Sequence, residues 1–154
     1  MKYWLLKSEP TSFSIDNLAT AEGRTTRWDG VRNFQARNFL RDEMKKGDQA
    51  FFYHSSCDVP GIAGIVTVVK QAYPDPTAFD PADHHYDADS KPENPRWYVV
   101  DVKLKRKFRR IITLDELRGH AKGRLKNMIV LKKGNRLSIT PVDESEWEFI
   151  ASLE

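Results

Sequence analysis

The segment Trp28–Asn33 is the part of the sequence richest in side chains that can recognise a flat aromatic ligand. It reads Trp-Asp-Gly-Val-Arg-Asn and so holds an indole, a glycine, a guanidinium group and a carboxamide. A nucleotide base is bound by stacking on its faces and by hydrogen bonds along its edge. Arg32 can hold a phosphate with two bonds, and Asn33 can both donate and accept. The spacing alone nevertheless favours ordinary roles, with Trp28 in the core, Arg32 on the surface and Asn33 as a helix cap.

Two further groups of residues are candidates for the same chemistry. Tyr53, His54 and Ser55 close a predicted strand, and polar side chains at a strand end can form the rim of a pocket. A turn after a core tyrosine explains them more simply. Trp97 follows a proline-rich loop and begins another predicted strand, where it either fills the core or forms a pocket wall.

Motifs for phosphate binding, covalent catalysis and metal binding are weak or missing. No GxGxxG or GxxxxGK[ST] pattern is present, and Gly61–Gly64 falls beside a predicted strand instead of a strand-to-helix turn. His54 near Ser55, Ser56 and Cys57 does not make a dyad, because a base must be aligned in space by a third group. His84 and His85 are adjacent and should point apart in an extended loop, which argues against a shared metal ion. We therefore predict a binding protein without a cofactor, a metal or a catalytic residue.

The composition predicts a soluble intracellular protein, cytoplasmic or, in a eukaryote, nuclear. The chain has 154 residues, 40% of them hydrophobic and 31% charged, which suits one globular domain spanning residues 1–154. Its apolar runs are far shorter than the roughly 20 residues that cross a bilayer, so no membrane partner is expected. The single cysteine, Cys57, excludes a disulfide framework.

The net charge of +3 is unevenly distributed along the chain. Residues 103–136 contain thirteen Lys or Arg against two Asp or Glu, and residues 24–46 contain seven against three. Such clustering predicts a basic face for a nucleic-acid backbone, although solvated surfaces are the alternative. The candidates for backbone binding are Arg24, Arg27, Arg37, Lys105, Arg106, Lys107, Arg109, Arg110, Lys122, Arg124 and Lys126.

The elements that must position these residues are short strands mixed with short helices. Hydrophobic patterns predict strands at 2–6, 49–53, 62–69, 97–104 and 137–139, with a long loop at 73–95. Helices are predicted near 13–18, with Ser12 or Ser14 as the cap, and at 33–46, with Gly47 just past the end. Two more are predicted, one from a capping box at Thr113–Glu116 and one after Thr140-Pro141. Strands and helices do not alternate strictly, which argues against a doubly wound sheet. We expect an α+β fold with a mixed or antiparallel β-barrel of about five or six strands flanked by short helices.

Many segments, in order, make the chain similar to the EVE-domain family. They are Tyr3–Pro10 (YWLLKSEP), Trp28–Leu40 (WDGVRNFQARNFL), Phe51–Ser55 (FFYHS), Pro60–Gly64 (PGIAG), Ala72–Asp75 (AYPD), Asn94–Trp97 (NPRW), Leu125–Met128 (LKNM) and Arg136–Ile139 (RLSI).

The resemblance implies a PUA-like barrel, related to the YTH readers of methylated adenine, with a pocket for a modified base. We therefore predict a module that binds DNA or RNA and holds one flipped base, methylated or hydroxymethylated, in an aromatic pocket. The rivals are an RNA-binding module that reads RNA modification or structure, and an enzyme acting on a modified nucleotide. Carried onto this sequence, the pocket residues are Trp28, Asn33, Tyr53, His54, Ser55 and Trp97, with Leu137 and Ser138 on the far wall and Lys7, Ser8, Gly30 and Arg32 at the rim. Phe34 stands where some relatives have tyrosine.

Overall fold

The six strands of the protein form one mixed sheet, described in a computed structural model that covers residues 1–154. The strands are β1 (Tyr3–Ser8), β2 (Thr25–Trp28), β3 (Gln49–His54), β4 (Gly61–Pro74), β5 (Tyr98–Thr113) and β6 (Ile139–Val142). Their order is β2-β5-β4-β3-β1-β6. Only the β1–β3 pair is parallel, and the other neighbours are antiparallel. The α+β class and the strand number are confirmed, but the sheet does not close, because β2 and β6 remain unpaired edges.

Four short helices flank the sheet. They are α1 (Ile15–Thr20), α2 (Phe34–Asn38), α3 (Leu114–Arg118) and α4 (Glu144–Leu153). A π turn (Phe39–Glu43) continues α2, and 3₁₀ turns lie at Glu22–Arg24, Pro76–Phe79 and Ile129–Leu131. The predicted caps of two helices are confirmed, since the Ser14 and Thr113 hydroxyls accept hydrogen bonds from the Asn17 and Glu116 backbone nitrogens.

Side chains of alternate strand residues enter two separate apolar clusters, one on each face of the sheet. On β3, Ala50 and Phe52 belong to a cluster of 18 buried residues, and Phe51 and Tyr53 belong to a cluster of 13. This is the alternation that a strand imposes on its side chains. Because both faces are covered, neighbouring residues of the same strand have different surroundings.

The predicted helix at 33–46 is wrong in length. The regular helix ends at Asn38, the π turn ends at Glu43, and Met44 is already extended. Gly47 therefore does not terminate a helix; it occupies a turn with φ +95°, and its N–H donates to the Val68 carbonyl. The extent of β-structure was also underestimated. The strand β2 was not predicted, and β5 continues to Thr113, beyond its predicted end at residue 104. Register shifts between β4 and β5 interrupt the two-residue period that prediction relies on.

The prediction that the final helix begins after Thr140-Pro141 is also wrong. These residues lie inside β6, and the final helix begins after Asp143, whose N–H donates to the Glu146 carboxylate. Proline is compatible with β6 because this is an edge strand, where one backbone donor is not needed. The last predicted strand moves accordingly from 137–139 to Ile139–Val142, which leaves Leu137 and Ser138 in the preceding loop.

Candidate functional site

A polar cleft of about 620 Å³ opens between the ends of β1 and β2. The chain reaches it from β1 with Lys7 and Ser8, and from β2 with Trp28 and the following turn. Only two of its twelve lining residues, Phe13 and Trp28, are hydrophobic. The lining residues are Lys7, Ser8, Glu9, Ser12, Phe13, Thr26, Arg27, Trp28, Asp29, Gly30, His84 and His85.

A buried ion pair fixes one wall of the cleft. The Asp75 carboxylate is fully buried and accepts hydrogen bonds from the Gly30 N–H (3.0 Å) and from Arg32 Nη1 (2.9 Å). It also accepts from the Thr77 N–H (2.8 Å) and hydroxyl (2.6 Å). Burial would raise the pKa of Asp75, but the hydrogen bonds from Thr77, Gly30 and Arg32 outweigh it and hold the pKa below its usual value. The turn that follows β2 is thereby joined to the segment that follows β4.

Arg32 extends this network to the loop that carries the two histidines. Its Nε and Nη2 donate to the His85 carbonyl at 3.1 and 2.7 Å, and Nη2 also reaches the Thr77 hydroxyl. Since all three guanidinium nitrogens have protein acceptors, the expected role of Arg32 as a free phosphate donor is not supported. Arg32 instead positions His85 against Gly30. A Cβ built on Gly30, which has φ +78°, would lie only 2.6 Å from the His85 ring.

Lys7 supplies the cleft with a positive charge that has no partner. Its ammonium group makes no hydrogen bond or ion pair, and burial lowers the pKa of this lysine. Its backbone is fixed on both sides, since Lys7 pairs with Tyr53 across β1–β3 and its N–H donates to the Ser138 carbonyl. An amine held in this way can donate to a base edge or to a phosphate.

Trp28 belongs both to the core and to the cleft. The residue is 7% exposed, and its ring packs edge-on against Phe52 with centroids 5.4 Å apart. The remaining exposed part of the indole lines the cleft. The sequence left open whether Trp28 is a core residue or part of a ligand pocket, and the side chain is in fact both buried in the core and exposed to the cleft.

Trp97 is a buried anchor of the loop after β4 and does not line the cleft. Its Nε1 donates to the Asp87 carboxylate at 2.6 Å, and this bond lowers the pKa of Asp87. Its ring stacks on Phe34 at 4.7 Å, and the Arg32 guanidinium lies 5.3 Å from the ring centroid. Phe34 is itself 53% exposed.

The other predicted pocket residues also lie outside the cleft lining. Asn33 is exposed and caps α2 by accepting from the Ala36 N–H, as its alternative interpretation stated. Tyr53 enters the opposite apolar cluster. The half-buried His54 accepts from the Ile15 N–H through Nε2, and burial lowers the pKa of its imidazole. Ser55 and Ser138 support the backbone of β1: the Ser55 N–H donates to the Ser8 carbonyl, and the Ser138 carbonyl accepts from Lys7. Leu137 is half-buried in the loop beside Ser138.

The predicted basic residues do not form one free surface. Arg27 lines the cleft but pairs with Asp29, and Arg106, Lys107 and Arg110 pair with Glu154, Asp16 and Glu116. Arg37 donates to the Arg96 carbonyl, and Arg124 lies over the Phe149 ring. Among the predicted basic residues, the exposed side chains without an acidic or polar partner are those of Arg24, Lys105, Arg109, Lys122, Arg124 and Lys126.

Seven lining residues were not among the predicted site residues. Ser12, Phe13 and Thr26 give no sequence signal, whereas Glu9 and Asp29 adjoin predicted ones. The expectation that His84 and His85 point apart is wrong. Their rings lie 3.9 Å apart, and each reaches the Asp83 carboxylate, because a turn carries them where an extended segment was assumed.

Comparisons with known proteins agree with this architecture. A family model described as the EVE domain matches residues 2–153. Thymocyte nuclear protein 1 is 51% identical in Gallus gallus and 48% identical in Homo sapiens; the alignments cover 99% of this chain and 68% and 73% of those proteins.

Two solved structures are similar over nearly the whole chain. The human THYN1 protein in complex with DNA containing 5-methylcytosine superimposes with a TM-score of 0.94 at 48% identity, covering 99% of this chain and 97% of that one. A protein from Pseudomonas syringae gives 0.92 at 48% identity, covering 98% of both chains. No helix is both long and apolar enough to span a bilayer. The full-length family match and the superposition together show that the chain belongs to the EVE-domain family and has an α+β, PUA-like fold.

Proposed function

We propose that the protein binds nucleic acid and holds one extruded base, carrying a methyl or hydroxymethyl group, in the cleft beside Lys7 and Trp28. One observation carries the proposal: an unpaired, half-buried lysine and an indole share a cleft in a chain 48% identical to a human protein solved with 5-methylcytosine DNA. The volume of the cleft lies within the range of about 300–1,000 Å³ usual for small-ligand sites.

The polar lining defines how such a base would be recognised. Trp28 and Phe13 offer apolar surface, while the Lys7 amine and the Ser8 and Ser12 hydroxyls offer hydrogen bonds. Since Trp97, Asn33 and Tyr53 lie outside the cleft lining, the proposal differs from the aromatic pocket predicted from the sequence. Recognition would depend more on hydrogen bonds at the base edge than on stacking between several rings.

The energetic terms determine where affinity must come from. Extruding a base costs a few kcal/mol, and stacking returns roughly 1–3 kcal/mol. Because these terms nearly cancel, net affinity depends on phosphate contacts and falls steeply with salt. Arg24 is a candidate for such a contact because it is exposed and has no acidic partner. It lies at the start of β2, at the other end of this strand from Trp28 and the cleft, so it would bind a phosphate beyond the one next to the extruded base.

Selectivity for a methyl group needs more than its burial. Burying one methyl contributes about 0.8 kcal/mol, which is about fourfold in affinity. A stronger preference requires a hydrogen bond that only the correct base makes, or a cleft donor left unpaired by the wrong base. Lys7 is the donor best placed for this, because it has no partner within the protein.

The decisive experiment compares Lys7→Met with a matched surface lysine, Lys45→Met. Lys45 lies at the opposite end of β1, is exposed and forms no ion pair. Fluorescence anisotropy is measured with oligonucleotides that contain cytosine, 5-methylcytosine, 5-hydroxymethylcytosine or N6-methyladenine, as DNA and as RNA. Salt is set at about 50 and about 200 mM, a range over which phosphate-dependent binding changes strongly.

We expect preferential binding to one modified base, lost in Lys7→Met and retained in Lys45→Met. Equal losses in the two variants would refute base recognition by Lys7 and leave only charge-dependent binding. Binding to RNA but not to the matched DNA would favour the RNA-binding alternative.

We propose binding without catalysis. From the sequence, His54 is the best candidate for a general base. Its Nε2 already accepts a hydrogen bond from the Ile15 N–H and is therefore not free to take a proton from a substrate. Mass spectrometry of each oligonucleotide after incubation tests this point, and a changed base mass would favour the enzyme alternative.

A further inference from the structure

The two histidines at the mouth of the cleft form a compact group with Asp83. The Asp83 Oδ1 lies 3.4 Å from His85 Nδ1 and 3.8 Å from His84 Nδ1. One ligand atom from each of the three residues falls within 4.8 Å of the other two. From this geometry we propose that Asp83, His84 and His85 bind one divalent transition-metal ion at the edge of the cleft.

The two separations from the Asp83 carboxylate are close to those around a tetrahedral ion. Imidazole nitrogen and carboxylate oxygen bind Zn²⁺ at about 2.1 Å. With arms of that length, separations of 3.4 and 3.8 Å correspond to ligand–metal–ligand angles of about 108° and about 130°. The first angle is tetrahedral. The ligand atoms of the group lie up to 4.8 Å apart, whereas two arms of that length span about 4.2 Å, so the His84 ring must move toward His85 when the ion binds. That movement is unhindered, because the His84 side chain is 85% exposed.

Most of the site is already held in place. The Asp83 carboxylate accepts the His85 N–H at 2.8 Å, and Arg32 holds the His85 carbonyl with two hydrogen bonds. The His85 ring lies directly over Gly30, which has no side chain to displace it. A preformed pair of ligands reduces the ordering cost that a flexible loop would add to metal binding.

The donor set indicates the class of metal. Two imidazoles and one carboxylate suit Zn²⁺ and its neighbours better than Mg²⁺ or Ca²⁺, which prefer oxygen ligands. Three protein ligands leave a fourth position open. Because His84 and His85 line the cleft, a bound ion would lie beside the space that the ligand occupies in the proposed function, where an acceptor on a base or phosphate could complete the coordination.

The test is Zn²⁺ binding to the intact, tag-free chain, measured by isothermal titration calorimetry in the absence of nucleic acid. His84→Asn is the principal variant, because the exposed side chain makes no hydrogen bond and its removal leaves the loop intact. The control variants are His120→Asn, a histidine packed on Phe149 away from the cleft, and Cys57→Ser, which removes the only thiol.

We expect one Zn²⁺ per chain, no change in either control, and at least about tenfold weaker binding in His84→Asn, since even the loss of an outer-shell partner of a ligand costs about 10–100-fold in metal affinity. NMR titration should place the largest shifts at residues 83–85. Equal Zn²⁺ affinity in wild type and His84→Asn, or loss of binding only in Cys57→Ser, would overturn the proposal. Because no nucleic acid is present, failure of the metal site and failure of the base-binding proposal give separate results.

Discussion

Substituting alanine for Gly30 tests whether the contact between this glycine and His85 shapes the cleft. Gly30 has φ +78°, a conformation that costs a residue with a Cβ about 1–2 kcal/mol. In addition, the new Cβ would lie 2.6, 2.7 and 3.1 Å from three atoms of the His85 ring. The ring must therefore leave its position over Gly30.

The structure provides a matched control for the backbone cost. Gly134 has nearly the same φ, +80°, but a Cβ placed there meets nothing within 4 Å. Gly134→Ala should lower the free energy of unfolding by about 1–2 kcal/mol. Gly30→Ala should cost more, with an extra term at the low end of about 1–3 kcal/mol for overpacking, because the end of the imidazole can turn aside. Urea denaturation followed by circular dichroism measures both values.

A double-mutant cycle isolates the contact with the histidine. In a His85→Ala background the obstructing ring is absent, so Gly30→Ala should then cost no more than Gly134→Ala does. We also expect Gly30→Ala, but not Gly134→Ala, to weaken binding of the preferred oligonucleotide. An equal destabilisation by the two glycine variants with His85 present would refute the reasoning.

Three further predictions follow from buried groups. Asp75→Asn should lower the free energy of unfolding by about 3 kcal/mol, because it leaves Arg32 without its buried partner; a urea midpoint unchanged from wild type would contradict this. The pKa of His54 is lowered in the folded state, so stability should decline as pH falls below the unfolded value of about 6.5. His54→Gln should reduce this decline in urea titrations at pH 5–7, and an unaltered profile would count against it. Trp28→Ala should destabilise by about 3–5 kcal/mol because the indole is a core residue, so its effect on binding is interpretable only if thermal melts show the variant folded at the assay temperature.

Much of the fold follows from local patterns in the sequence. The cores of β1, β3 and β4 and the caps Ser14 and Thr113 depend on short-range periodicity and local hydrogen bonding, and their prediction is confirmed. Errors occur where distant residues decide. The helix after Asn33 stops early, and β5 extends past Leu104, because their limits are set by packing on neighbouring elements.

The candidate site was only partly predictable for a related reason. Trp28, Lys7, Ser8 and Gly30 line one cleft, although three strands separate β1 from β2 in the sheet, so only the tertiary structure brings their two segments together. Tyr53 was placed there by its sequence neighbours, but strand alternation directs its side chain to the opposite face. Whether Lys7 contacts a base stays a prediction until binding is measured.

The sequence by itself determined the family, the fold class and the segments that bear the site, because these depend on residue identity and spacing along the chain. Tertiary structure decided which side chains are free. The Arg32 guanidinium is bound by Asp75 and the His85 carbonyl, whereas the Lys7 amine has no hydrogen-bond or ion-pair partner. His84 and His85 converge on Asp83 because a turn replaces the extended segment assumed from the sequence. Arg32 and the His85 carbonyl that it binds lie 53 residues apart in the sequence, so no local pattern encodes this hydrogen bond.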